Sequence, residues 1–152
     1  MSRHRTPQKH FTIKSADIRP VDEWMNLISS SDKSNALVFV HGFNTTFRDA
    51  TCRTAQIFWD LQYSGIPVLF SWPSRGTVLD GARDAFIEVL GNLKRAGARR
   101  IDILAHSMGN LVVLDSLARH SHADTPLGIA EIFMAAPDID RDHYKSIAAK
   151  VR

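Results

Sequence analysis

Cys52 is the single cysteine among 152 residues, so the chain can form no internal disulfide and suits a reducing compartment, with the cytoplasm as the expected location. Cys52 lies in a helical stretch and is expected to pack rather than react. No apolar run approaches the roughly 18 residues of a membrane span, so no membrane span is expected. The basic N-terminus, Met1-Ser2-Arg3-His4-Arg5, leads into no apolar run and does not read as a secretory signal. A Gly-rich loop ending in Lys-Ser/Thr is missing, which removes the usual phosphate cradle. No histidine–carboxylate spacing resembles a metal ligand set, so neither a metal nor another cofactor is expected. Charge of one sign is scarce: the net value is +3, with Arg3, Arg5, Lys9 and Lys14 crowded near the N-terminus. Basic residues are not interleaved with aromatics as single-strand binding requires, and nucleic acid is not an expected partner. No internal repeat is visible.

What remains is the composition of one globular domain over residues 1–152, with 44% hydrophobic and 23% charged residues. At that length a single core is within reach. Residues 1–10 are polar and expected to form a mobile tail. Phe11-Thr12-Ile13 reads as a short edge strand. Pro20–Ile28 reads as a helix, with Val21, Trp24, Met25 and Ile28 at helical spacing. A loop follows over Ser29–Asn35.

Ala36–Val40 is apolar at every position, the pattern of a central strand buried on both faces. Thr46-Phe47-Arg48-Asp49 has the form of a capping box. The helix it opens is expected to carry Phe47, Ala50, Ala55, Phe58 and Trp59 on one stripe and to end near Ser64-Gly65. Ile66–Trp72 reads as another strand, which tolerates Pro67 near its start. After the loop through Ser74-Arg75-Gly76, Ala82, Phe86, Val89, Leu90 and Leu93 mark an amphipathic helix closed by Gly97.

Ile101–Ala105 is a further buried strand, Asn110–Arg119 a buried helix, and Leu127–Ala136 a last strand. Strands alternating with helices require right-handed crossovers and a parallel sheet covered on both faces. The predicted fold class is α/β, a three-layer α/β sandwich.

Between strand and helix stands Ala105-His106-Ser107-Met108-Gly109, small-x-Ser-x-Gly. A serine on such a sharp turn is held above the C-terminal edge of the sheet, with the following amides aimed where an oxyanion would form. Small residues two before and two after Ser107 let strand and helix approach around a strained backbone. The bland alternative is a serine that only caps a helix.

These residues resemble the elbow of the alpha/beta-hydrolase superfamily, with alanine in place of its first glycine. VFVHGFN, LFSWPS, ILAHSMGN and AAPDID, in that order from Ala36 to Asp142, are similar to a bacterial family of alpha/beta hydrolases of unknown function. The resemblance implies an esterase or lipase type of serine hydrolase, acting on a small carboxylic ester through an acyl intermediate on Ser107. It also implies an oxyanion hole made of the Phe43 and Met108 amides. His41, Gly42 and Trp72 are expected at the substrate side, with His41 structural rather than a proton carrier.

The superfamily's acid and histidine commonly follow two further strands, which nothing after AAPDID matches, so the fold reads as abbreviated. Of the seven histidines, His143 alone keeps the order Ser, acid, His, with Asp138 or Asp140 before it. Asp138 and His143 are thus the candidate acid and base. The competing reading makes Asp138 and Asp140 caps of a helix from Arg141 to Lys150. His106 is expected to point away from the serine, and His120 and His122 to lie at the opposite end of the sheet. An inactive binding module and a truncated oligomeric remnant stay open as alternatives. The strand at Ile129–Met134 is expected to be an apolar edge, which favours a homo-oligomer.

Overall fold

The computed structural model describes residues 11–74, 79–121 and 126–151. The elements run α1 (Val21–Ser29), β1 (Asn35–Val40), α2 (Phe47–Asp60), β2 (Ile66–Phe70), α3 (Leu79–Arg95), β3 (Arg100–His106), α4 (Gly109–His120), β4 (Ile129–Ala135) and α5 (Arg141–Ala148). The four strands form one parallel sheet in the order β2-β1-β3-β4. This is the expected α/β sandwich. The tail expected over residues 1–10, the expected loop residues Arg75 and Gly76, and His122 lie outside the described residues.

The position of β1 follows from its composition. Ala36 to Val40 are buried without exception, because both faces of the strand are covered and β2 and β3 pair with its two edges. β3 alternates instead, burying Ile101, Ile103 and Ala105 while Asp102 and Leu104 are partly open. Phe86, Leu90 and Leu93 of α3 and Val112 and Val113 of α4 complete the core. Gly97 closes α3 with φ 101°; its amide bonds the Lys94 carbonyl and the Ala98 amide reaches that of Leu93, a Schellman end that needs the left-handed residue.

Three expectations are corrected. Phe11–Ile13 is not a strand: the Phe11 ring meets Trp59 edge-on at 6.4 Å, and its carbonyl accepts from Cys52 Sγ at 3.4 Å. With the Phe11 carbonyl turned to α2, the segment pairs with no strand of the sheet among the described residues. α2 stops at Asp60 rather than near Gly65, because Gln62 turns left-handed at φ 49°. Its buried face is centred on Ala50 and Thr54, while Phe47 and Trp59 are 59% and 71% exposed. The capping box holds in part: Thr46 accepts from the Asp49 amide at 3.1 Å, and Asp49 accepts the Thr46 hydroxyl at 2.7 Å.

β4 hydrogen-bonds only β3, so it is an edge strand, yet it is less apolar in its setting than its sequence suggests. Ala130, Glu131 and Phe133 are exposed, and Glu131 pairs with Arg100 at 3.1 Å. Among the described residues no helix is long and apolar enough to cross a membrane.

Candidate active site

β1 and β3 are neighbours in register, Val40 beside Ala105, so the chain leaves both strands at one edge of the sheet. The loop after β1 and the turn after β3 therefore run side by side. They touch so closely that glycine is required twice. A Cβ on Gly42 would stand 2.9 Å from the Ser107 Cβ, and one on Gly109 would stand 2.6 Å from the Val40 carbonyl oxygen and 2.7 Å from that of His41.

Ser107 has φ 53°, a left-handed conformation that is uncommon for a residue with a side chain. Such a residue costs on the order of 1–3 kcal/mol and persists only where its surroundings hold it. Here they do. The Ser107 amide donates to the Ala135 carbonyl at 3.0 Å, and its own carbonyl accepts from the amides of Asn110 at 3.1 Å and Asp138 at 3.4 Å. Asn110 Nδ2 adds a further bond to that carbonyl at 2.8 Å and one to the Ala135 carbonyl at 3.3 Å. Asn110 is wholly buried, and turning its amide over would set an oxygen against two carbonyls, so the orientation is forced.

Asn110, expected only as the first residue of a buried helix, braces the turn at Ser107 through these bonds. A polar residue three after the serine, on the buried side of an apolar helix, was the available signal.

The loop after β1 is fastened to the segment after β2. Asn44, at φ 51°, donates its amide to the Ser74 carbonyl at 3.3 Å, and the Thr45 amide donates to Ser74 Oγ at 3.2 Å. His41 and Trp72 lie beneath the loop, only 2% and 3% exposed, with their rings stacked at 5.8 Å and 12°. Their polar atoms are engaged by the protein: Trp72 Nε1 donates to the His41 carbonyl at 2.8 Å, and the Trp72 amide donates to His41 Nε2 at 3.2 Å. Both residues therefore shape the loop from below instead of offering a surface to a substrate.

Among the described residues the Phe43 and Met108 amides have no hydrogen-bond acceptor. They belong to the residues that follow Gly42 and Ser107, which approach until a Cβ on Gly42 would stand 2.9 Å from that of Ser107, and Met108 is the N-cap of α4, where the first amides of a helix are unsatisfied. Two free amides beside an unbonded hydroxyl can hold an anion that forms on an atom attached to that hydroxyl.

Histidines are less well placed. His143 lies in the first turn of α5, exposed, and its amide bonds Asp140 Oδ1 at 3.1 Å. Asp140 is the N-cap, and the amides of His143 and Asp142 hold its carboxyl below the ordinary carboxylate value. Asp138 does not cap this helix; its amide reaches the Ser107 carbonyl, and its side chain is exposed. The structure thus brings the backbone of Asp138 to the turn but joins neither Asp138 nor His143 to the Ser107 hydroxyl. The His106 ring is exposed, with Nδ1 near the Gly42 α-carbon, and His120 ends α4 beside Leu127 and Gly128, at the far end of the sheet. No cluster of metal-ligating side chains occurs among the described residues.

Residues 19–152 match the family described as "Alpha/beta hydrolase of unknown function (DUF900)". The chain belongs to this family. No curated protein and no solved structure matches the chain. Membership of the family agrees with the parallel sheet and with the order of its motifs, and it assigns a hydrolase fold without a substrate.

Proposed function

We propose that the protein is a serine hydrolase of esterase type, with Ser107 as nucleophile and a small carboxylic ester as substrate. The observation that carries this reading is the left-handed Ser107 held between two glycine contacts and beside two unbonded amides. Ser107 Oγ attacks the ester carbonyl carbon and gives up its proton to a base. The carbonyl oxygen becomes an oxyanion held by the Phe43 and Met108 amides. Collapse expels the alcohol, which takes a proton, and leaves an acyl-Ser107 that water hydrolyses by the same steps in reverse. Within this reading Asp138 and His143 keep the sequence order of an acid and a base on the segment that the Asp138 amide tethers to the turn, with neither side chain bonded to the Ser107 hydroxyl among the described residues.

Reaction of the protein with a fluorophosphonate should label Ser107 by mass mapping, and Ser107→Ala should lose both the label and turnover of p-nitrophenyl acetate. Full activity in Ser107→Ala would remove the assignment. A second reading, an inactive binding module on a hydrolase fold, is favoured by the lack of any histidine bonded to the Ser107 hydroxyl among the described residues. An unlabelled wild-type protein would select it.

A homo-oligomer joined along β4 belongs to the same proposal. Its support is an edge strand bonded on one side, with Phe133 48% exposed. Sedimentation equilibrium at micromolar concentration tests it, and a strictly monomeric folded protein overturns it.

A further inference from the structure

His41 is buried at the end of β1, yet its ring makes two hydrogen bonds whose partners leave no choice of proton. Nδ1 lies 2.8 Å from the Gly42 carbonyl oxygen, which can only accept. Nε2 lies 3.2 Å from the Trp72 amide nitrogen, which can only donate, and 3.4 Å from Ser71 Oγ. The ring must therefore be neutral, with its proton on Nδ1 and a bare Nε2. Trp72 closes the arrangement by stacking on the ring and bonding the His41 carbonyl.

The bond to Gly42 has a consequence at the site. The Gly42 carbonyl and the Phe43 N–H belong to one planar trans peptide and point in opposite directions. His41 Nδ1 and Thr45 Oγ1, the latter at 3.2 Å, both hold the carbonyl. Pinning the oxygen on that side turns the Phe43 N–H to the other, and the Phe43 amide is the one left without an acceptor. The bond from Nδ1 is the shorter of the two, and its donor is locked by the buried stack.

We infer that His41 is a positioning residue: its Nδ1-protonated ring holds the Gly42–Phe43 peptide in the orientation that presents the Phe43 amide to the oxyanion. The inference rests on the acyl-serine reading above and adds a residue that never touches the substrate.

The test pairs two substitutions. Asparagine places an amide nitrogen near the position of Nδ1 and keeps a donor for the Gly42 carbonyl; leucine fills the space and keeps none. His41→Leu should lower kcat on p-nitrophenyl acetate by about 100-fold, the effect typical of losing one oxyanion donor, with KM changed less than about twofold. His41→Asn should recover kcat to within about tenfold of the wild type. Should the leucine variant fail to fold, the asparagine variant and nitrogen NMR of the wild type decide: His41 must show a protonated Nδ1 and a bare Nε2. A proton on Nε2, or undiminished kcat in His41→Leu while fluorophosphonate still labels Ser107, overturns this inference alone. Absence of labelling in the wild type overturns the acyl-serine reading and this inference with it.

Discussion

At Ser107 the backbone carbonyl accepts three hydrogen bonds, and both flanking loops leave strands that are paired on two sides. At His143 the ring is exposed on an eight-residue helix that follows an edge strand. The first region is fixed by interlocking constraints, each of which fails if one residue changes. The second is held by the Asp140 cap, the buried Ile147 and the single Asp138 tether, none of which hydrogen-bonds the His143 ring. The contrast teaches that a strained turn can be held in place by the sheet centre, while a segment past the sheet's edge is held more loosely; under the proposed reading these carry the nucleophile and the candidate base.

The hardest blow to the braced half should come from Gly109→Ala. Its methyl would sit 2.6 Å from the Val40 carbonyl oxygen, in a contact between backbones that cannot swing aside. A loss on the order of 3 kcal/mol is expected from the denaturant midpoint, with esterase activity falling alongside. A variant as stable as the wild type would show that strand and helix have slack here, and the contrast would fail.

Asn110→Asp should follow. It keeps the shape but replaces the donor to the Ser107 and Ala135 carbonyls with an acceptor, in a wholly buried place. About 2 kcal/mol is expected, the scale of buried polar groups losing their partners. Urea unfolding of the two proteins side by side measures it.

On the loose side, His143→Ala should reduce the hydrolysis of p-nitrophenyl acetate less than tenfold, under about 1.4 kcal/mol, because nothing joins the ring to Ser107 among the described residues. A loss of several orders of magnitude would show that α5 swings in during the reaction, and would place both halves on an equal footing.

The smallest effect concerns the cap of α5. The folded value of Asp140 lies below its unfolded 3.8, so its contribution is full above that value and is lost as pH falls through the lower folded one. Amide exchange at His143 should accelerate over that acid range in the wild type and not in Asp140→Asn, while the amides around Ser107 stay unaffected. Equal acceleration at Ser107 would mean that the two regions open together.

Which parts were readable in advance follows the same division. β1 and α4 are legible as nearly continuous apolar runs and α3 and β3 by the period of their buried residues, as Val38, Val112, Phe86, Leu90, Ile101 and Ile103 show. The turn at Ser107 was readable because its geometry demands small residues at fixed places, and Gly109 meets that demand against a backbone oxygen. Phe11–Ile13 and the aromatic positions of α2 were misread because apolar spacing does not say whether a neighbouring surface exists. Phe11 and Trp59 pair with each other at the surface instead. Asn110 and the ring proton of His41 were illegible for another reason: each is decided by partners distant along the chain, Ala135 and Trp72, that a local pattern does not contain.

The adjacency of β1 and β3 also bears on how the protein comes apart. Amides of strands paired on both sides exchange with solvent only when the whole domain opens, whereas edges and short helices fray at little cost. The two loops beside Ser107 therefore belong to the last unit to melt. A warmed population should divide into molecules with the loop pair complete and molecules with no tertiary structure at all, and residual activity should report the folded fraction directly.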